Sequence, residues 1–306
     1  KFGVRSAMPT ATALRLCPKL IVLPVNMQKY RIVSNQIKAI FLEFTNKVES
    51  VSLDEAYLDV SNSKHFSGSA SLLAKHIRER IYNEVGVTAS AGVAPNKFLA
   101  KVASDINKPN GQYVIAPDSI ANFISGLHLR RIPGVGKVLE KKLNQLGLTK
   151  CVDVQNYCVE TLVKKIGSFG YTLYQRSYGK DNREVKESSI RKSVSVERTF
   201  SQDLDNIDNC FEKIYLLIES FQERLYKLQD SYFAKAYFVK IKFNDFSQTT
   251  LERSNINTLD VDIIKEMYME AWKRGSKPAR LLGLGARLVP MEEYQNSMQL
   301  DLLRQV

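Results

Sequence analysis

Histidine and cysteine are scarce in this chain of 306 residues, which contains three and four of them. His65, His76 and His128 have no metal-ligand spacing, and the cysteines form no C-x-x-C pair. A zinc site and a disulfide framework are therefore not indicated, and a reducing cytoplasm fits this use of cysteine. The hydrolase motif G-x-S-x-G is also absent, so we expect chemistry that relies on carboxylates, lysines and a bound metal.

Long apolar runs are missing too. A membrane-spanning helix needs about eighteen consecutive apolar residues, so the sequence predicts no span. Hydrophobic residues make up 44% and charged residues 25%, which is typical of a folded chain of two or more domains. The net charge is +12, with an excess of seven positive charges over residues 1–116 and five over residues 117–190. This excess favours a polyanionic partner.

The first third of the sequence alternates between strand and helix patterns. Residues 48–60 are rich in β-formers and predict a strand pair or hairpin, and residues 71–85 have the apolar stripe of an amphipathic helix. A strand at 87–94, a helix at 96–106 and a strand at 112–116 follow. This alternation predicts one α/β sheet with helices packed on it.

The remainder divides into three parts. Residues 117–190 predict short helices separated by glycine-containing turns, and the charged stretch 181–189 predicts a linker. Residues 191–290 have the order β-α-β-β-α-β, which is that of a ferredoxin-like unit. The last sixteen residues, 291–306, are a tail.

The adjacent carboxylates Asp54 and Glu55 are the first candidate site. Two carboxylates in a β-rich segment are costly to bury without a cation, and Mg²⁺ prefers oxygen ligands of this kind. Successive strand residues point to opposite faces, so both can serve one site only near a turn or irregularity. The alternative is a solvated pair at a hairpin tip.

Basic residues and glycines form the next two candidates. Lys97 and Lys101 share one helical face and Lys108 follows in a turn, where they could hold a triphosphate or simply be solvated. In the segment 129–143, two closely spaced glycines let the backbone approach another molecule, and a helix beginning near Lys137 offers free N–H groups to a phosphate. This layout resembles a helix-hairpin-helix, which grips the DNA backbone.

Two further segments bear on partners. Lys240 and Lys242 line one face of a strand whose other face is apolar, which predicts a basic surface for a phosphate backbone or an ordinary solvated strand. The sequence Q-L-D-L-L near the C-terminus could dock in a hydrophobic groove or be a frayed end.

The chain resembles the Y-family DNA polymerases in five segments spread over its length. They are KFGVRSAMP, SLDEAYLDV, SAGVAPNKFLAKVASDINKPNGQ, IPGVGK and RKSVSVERT. The resemblance implies an α+β multidomain fold, the right-hand polymerase with a truncated palm and fingers. Its parts would be a remnant of the fingers at 1–24, a palm at 25–116, a helical thumb and linker at 117–190, a ferredoxin-like little finger at 191–290 and a clamp-binding tail at 291–306.

The resemblance also implies roles for single residues. Asp54 and Glu55 would be catalytic ligands of two Mg²⁺ ions, and Lys108 would contact the incoming dNTP. DNA would be bound by the thumb and the little finger, at Gly134, Gly136, Lys137, Lys240 and Lys242. The sliding clamp would be bound by the tail residues Gln299, Leu300, Leu302 and Leu303. The expected enzyme is a cytoplasmic monomer that extends primer–template DNA past damage, error-prone and without proofreading.

The beginning of the chain departs from the family pattern. Family members start with a strand that carries another metal-binding Asp, an aromatic gate against ribonucleotides and most of the fingers, and none of this precedes Lys1. We therefore expect this chain to have little or no polymerase activity by itself. Two other functions stay open at this point. One is a non-catalytic DNA- and clamp-binding fragment, and the other is a palm-type nucleotidyl enzyme such as a cyclase, which has no use for a duplex grip.

Overall fold

The computed structural model describes residues 1–187, 190–254, 256 and 259–295. The chain forms two compact units, Lys1–Ser188 and Ser189–Val306. Across the described residues, no helix combines the length and the apolar character needed to cross a bilayer. The first unit contains α1 (Thr10–Leu16), α2 (Met27–Leu42), β1 (Val48–Ser50), β2 (Ala56–Leu58), α3 (Ala70–Arg80), β3 (Ala91–Val93), α4 (Lys97–Ser104), β4 (Gln112–Val114), α5 (Ile120–Ser125), α6 (Lys137–Gln145), α7 (Cys151–Gln155), α8 (Val159–Ile166) and α9 (Phe169–Ser177).

Side-chain caps determine where several helices begin. The Asn96 side chain accepts a hydrogen bond from the Leu99 amide, which ends the extended segment and starts α4 at Lys97. An Asn or Asp at the N-cap satisfies one of the free N–H groups of the first turn. The predicted helix at 96–106 is confirmed as α4, and the predicted helix at 71–85 is confirmed as α3 followed by a π-helical turn.

The first unit contains two separate strand pairs. β1 and β2 form the predicted antiparallel hairpin, with Val48 opposite Leu58. β3 and β4 run parallel, with Ala91 opposite Gln112. The prediction of one α/β sheet is wrong within the described residues, where the two pairs share no ladder. Each of the four strands is only three residues long.

The region from 117 to 187 is helical, as predicted, and its described part has only one isolated β-bridge, between His128 and Lys150. Its apolar core continues into α4, where Phe98 and Leu99 are fully buried. They belong to the same cluster as buried residues that lie between Ile115 and Leu173 in the sequence. α4 and the following helices therefore share one core.

The second unit has the predicted order β-α-β-β-α-β. Its elements are β5 (Ser193–Leu204), α10 (Ile207–Tyr226), β6 (Tyr232–Phe243), β7 (Gln248–Ser254), α11 (Val261–Lys273) and β8 (Ala279–Pro290). The four strands form one antiparallel sheet in the order β5-β8-β6-β7, so β8 separates the two strands that α10 connects. The core lies between one sheet face and the helices, and includes Val239, Ile241, Leu282 and Leu284.

Gly92 on β3 lets α4 lie very close to this strand. A Cβ at Gly92 would lie 2.0 Å from the carbonyl oxygen of Ala100 and 2.4 Å from the amide nitrogen of Ser104. Both atoms belong to the backbone of α4, so no side-chain rotation can relieve the contact. The distance between the helix and the strand therefore requires glycine.

We expect Gly92→Ala to lower the free energy of unfolding of the first unit by about 3 kcal/mol or more, because the helix must move to admit a methyl group. Urea unfolding followed by circular dichroism should show a lower midpoint. Gly126→Ala is the matched control, since a Cβ there meets nothing within 4 Å. Equal midpoints for the two variants would contradict the packing argument.

Candidate active site and DNA-binding surfaces

The turn of the β1–β2 hairpin places Asp54 and Glu55 next to each other outside the strands. The Glu55 carbonyl oxygen accepts hydrogen bonds from the amides of Val51 and Ser52, at 2.9 and 3.3 Å, which closes the turn. Asp54 is exposed and Glu55 is half-buried. The acidic doublet therefore lies at the kind of turn that lets both carboxylates serve one site.

Each carboxylate of the doublet has a partner. The Ser52 hydroxyl donates to Asp54 Oδ1 at 2.5 Å, and Lys101 Nζ on α4 forms an ion pair with Glu55. Lys108 Nζ lies 2.6 Å from Asp105 Oδ1. The hydrogen bond to Asp105 raises the pKa of Lys108, and the charges of Glu55 and Asp54 act in the same direction. Lys108 thus lies within electrostatic reach of the doublet.

Lys97 does not join this group, which corrects the prediction that it could hold a triphosphate. Its side chain is 8% exposed, and its Nζ donates to Glu49 Oε2 at 2.5 Å and to the Glu184 carbonyl oxygen at 3.1 Å. The ammonium group also lies 5.1 Å from the centre of the Tyr57 ring. A buried ammonium with these partners has no free donor aimed at a substrate, so its role is structural.

Glu49 is a residue that the sequence did not single out. Its Oε2 also accepts a hydrogen bond from the Lys186 amide at 2.8 Å. Burial raises the pKa of Glu49, but the hydrogen bonds from Lys97 and Lys186 outweigh it, and the net pKa is lower than 4.5. One carboxylate thus ties the predicted linker segment to the hairpin. The only signal in the sequence was the position of Glu49 in the β-rich segment 48–60.

The carboxylate oxygens of Asp54 and Glu55 are the type of ligand that a hard divalent cation prefers. Mg²⁺ is commonly held by one or two carboxylates, with water and substrate phosphates completing its six oxygen ligands. Asp54 and Glu55 supply two such carboxylates. Among the described residues no group of three or more His, Cys, Asp or Glu side chains is arranged to hold a metal, so any ion here would depend on substrate oxygens as well.

The glycines of the predicted helix-hairpin-helix have two different functions. Gly134 has a φ of +99°, and a Cβ there would lie 2.7 Å from the Phe169 ring, so this glycine serves internal packing. Gly136 is the N-cap of α6, and a Cβ there would meet nothing within 4 Å. α6 begins at Lys137, as predicted. The open surface at Gly136 and the free N–H groups of the first turn are the features that suit a phosphate.

Lys240 and Lys242 lie on the open face of the second unit's sheet, as predicted, but their charges are not equally available. Lys240 Nζ lies 3.0 Å from Glu197 Oε1 on β5. Arg287 on β8 and Glu252 on β7 form a second pair across the intervening strand β6, at 2.8 Å. Much of the basic surface is thus neutralised by carboxylates within the sheet. The clamp-binding residues predicted in the tail lie outside the described residues.

Three family models match the chain. The impB/mucB/samB family matches residues 1–105, the DNA polymerase-iota thumb domain matches residues 130–181, and the C-terminal domain of the impB/mucB/samB family matches residues 191–302. Together these matches run from the acidic turn through the Gly136 hairpin to the second unit. The chain belongs to the Y-family of DNA polymerases.

Individual relatives agree with this assignment. The chain is 47% identical over 299 residues to a protein named DNA polymerase IV from Ectopseudomonas mendocina, covering 98% of this chain and 85% of the relative. A chimera of the Y-family polymerases Dbh and Dpo4 matches with a TM-score of 0.84 and 27% identity, covering 94% and 83%. An insertion ternary complex of Dbh DNA polymerase matches with a TM-score of 0.62 and 25% identity, covering 94% and 84%. The predicted right-hand polymerase fold is confirmed, and the cyclase alternative is not supported.

We expect Glu49→Ala to speed hydrogen exchange of the Lys186 amide about tenfold or more, because a hydrogen bond to a charged acceptor is lost. Native-state exchange measured by NMR tests this, and the amides of α6 serve as the internal reference. Acid should have the same effect on the unchanged protein. The folded pKa of Glu49 is below 4.5, so its contribution is complete above that pH and lost as the pH falls through the folded value.

Glu79→Ala is the control, since Glu79 is an exposed carboxylate whose only ion pair is to Lys75 at 3.9 Å within the described residues. Unchanged exchange at Lys186 in Glu49→Ala would show that Glu49 does not hold this segment.

Proposed function

We propose that Asp54, Glu55 and Lys108 form the active site at which this polymerase joins a dNTP to a primer 3′ end. The function is template-directed DNA synthesis of the translesion type, catalysed by a DNA-directed DNA polymerase of the Y-family. The single observation that supports the assignment of residues is the turn of the β1–β2 hairpin, which presents two adjacent carboxylates outside the strands. Their charges favour the protonated form of Lys108, in the turn after α4.

The residues at this site have two kinds of role: some would bind the metal and the triphosphate, and others hold the carboxylates in position. Asp54 and Glu55 would hold Mg²⁺, which when bound neutralises triphosphate charge and makes the primer hydroxyl a better nucleophile. Lys108 is 51% exposed at its side chain and would bind the negatively charged triphosphate, exchanging Asp105 for phosphate oxygens. Lys101 holds the Glu55 carboxylate in place, and Ser52 does so for Asp54.

Primer–template DNA and dNTP are the substrates that this site requires, and the structural relative captured as an insertion ternary complex supports them. We infer that the thumb grips the DNA backbone at Gly136 and Lys137, with Gly134 shaping the turn, and that Lys240 and Lys242 contribute to binding by the second unit. Binding of the sliding clamp through Gln299, Leu300, Leu302 and Leu303 stays a prediction from the resemblance, as do a cytoplasmic location and a monomeric state.

We expect Asp54→Ala to abolish nucleotide incorporation and to weaken Mn²⁺ binding about tenfold or more in the presence of dNTP and primer–template, because half of the carboxylate pair is lost. Electron paramagnetic resonance measures the bound Mn²⁺. This measurement tests the metal-binding role of Asp54 even if DNA synthesis by this chain is weak, as the resemblance predicts. Asp118→Asn, which alters an exposed carboxylate far along the chain, is the control. Wild-type Mn²⁺ affinity in Asp54→Ala would refute the metal-binding role.

We expect Gly136→Ala to weaken duplex DNA binding about tenfold without loss of thermal stability, because its methyl group would keep a phosphate from the α6 N–H groups. The salt dependence should stay the same, since no charge changes. Lys137→Ala should instead flatten the plot of log affinity against log salt by about 0.9. Fluorescence anisotropy of a labelled duplex measures both. Gly126→Ala, equally open at its Cβ, is the control, and equal affinities of the two alanine variants would exclude a backbone contact at Gly136.

A further inference from the structure

The turn between β6 and β7 presents a phenylalanine in an unusual state. Phe246 is 62% exposed, and its φ is +66°, in the left-handed region. The turn itself is tightly closed. The Phe243 amide donates to the Ser247 carbonyl oxygen at 2.8 Å, and the Phe246 amide donates to the Phe243 carbonyl oxygen at 3.0 Å.

Neither feature of Phe246 benefits folding. Left-handed backbone is unfavourable for a bulky residue, and glycine or asparagine would occupy the same turn position at lower cost. The exposed ring also leaves apolar surface in water. Backbone strain that is retained at a surface position points to a role in binding.

Two cations lie over the Phe246 ring. Lys242 Nζ is 4.9 Å from the ring centre, and the central carbon of the Arg280 guanidinium is 5.2 Å from it. Lys242 has no ion pair within the described part of the chain, and the pair between Arg280 and Asp203 is long, at 3.7 Å. This contrasts with Lys240, which its neighbour Glu197 neutralises at 3.0 Å. Two cations, Lys242 without an ion pair and Arg280 with one long pair, thus lie around this exposed ring.

The acidic residue in the turn is already engaged. Asp245 accepts hydrogen bonds from Lys277 at 2.6 Å and from the Ser247 hydroxyl at 2.5 Å. These contacts lower the pKa of Asp245 to about 2, so its charge is present at neutral pH but neutralised locally by Lys277. The turn is therefore held in shape without presenting a free carboxylate to an anion.

An aromatic ring flanked by cations matches the chemistry of single-stranded nucleic acid. A base stacks on the ring while the flanking phosphates meet the cations, and such stacking tolerates every base. A free anion would have no use for the ring. A methylated ammonium group would be repelled by Lys242.

We propose that Phe246, Lys242 and Arg280 form a stacking site for an unpaired base of a DNA strand. The proposal rests on the proposed function in that a polymerase meets unpaired template, but it concerns a site separate from Asp54, Glu55 and the Gly136 hairpin. It assigns the β6–β7 turn to an unpaired strand rather than to the duplex.

Tryptophan at position 246 reports stacking directly. We would place Phe246→Trp in a Trp272→Phe background, since Trp272 is the single tryptophan of the sequence. Its fluorescence should be quenched by an oligothymidylate and not by an abasic oligomer with the same number of phosphates. Tyr226→Trp in the same background is the control, because Tyr226 is 70% exposed on α10 with no cation over its ring within the described residues. Equal quenching by the abasic oligomer would overturn the proposal.

Replacement by glycine separates binding from stability. Phe246→Gly should raise the melting temperature or leave it unchanged, because the strain is relieved, while affinity for the oligothymidylate falls about fivefold or more. Phe246→Tyr should keep the affinity. A purely structural ring predicts the reverse, namely a lower melting temperature and unchanged affinity, and that result would refute the site.

The two proposals fail in different ways. Normal duplex binding and normal Mn²⁺ binding without base-dependent quenching would refute only the stacking site. Base-dependent quenching together with wild-type Mn²⁺ affinity in Asp54→Ala would refute only the active-site assignment.

Discussion

The pairing of two lysines of α4 with two glutamates of the β1–β2 hairpin is the interaction on which the first unit depends. Lys97 and Lys101 are one helical turn apart, and they contact Glu49 at one end of the hairpin and Glu55 at the other. The Lys97–Glu49 pair is nearly buried, and Glu49 also accepts a hydrogen bond from the Lys186 amide, which holds the segment around Lys186. The Lys101–Glu55 pair is more accessible. The same helix therefore makes one contact that is largely shielded from water and one that solvent reaches more easily. This division leaves Glu55 available to a cation while the hairpin stays fixed.

In the second unit, two ion pairs lie on the open face of the sheet. Its open sheet face carries basic side chains, but Glu197 and Glu252 compensate Lys240 and Arg287, each across one intervening strand. Ion pairs of this kind reduce the field that a phosphate backbone would feel. The surface as a whole is thus less basic than its count of lysines and arginines implies. At the β6–β7 turn, Lys242 has no ion pair within the described residues and lies over the Phe246 ring.

The sequence predicted the local elements of this structure better than its long-range contacts. The β-α-β-β-α-β order, the start of α6 at Lys137 and the turn at Asp54 follow from periodicity, caps and turn chemistry, which depend on neighbouring residues. The burial of Lys97 depends on Glu49, 48 residues earlier, and the neutralisation of Lys240 depends on Glu197, 43 residues earlier. No local pattern encodes such pairs. The left-handed Phe246 was also missed, because a bulky residue there contradicts ordinary turn preferences.

The contact at Gly92 has a consequence for the chemistry at some distance. Gly92 has no side chain, and this lets α4 pack closely against β3. The position of α4 in turn determines how far the ammonium groups of Lys97 and Lys101 extend toward the hairpin. The absence of a Cβ at Gly92 therefore sets the distance between α4 and β3. An outward shift of the helix by even one bond length would alter the reach of both lysines together. The electrostatic alignment of the acidic turn thus depends on the close packing of α4 against Gly92.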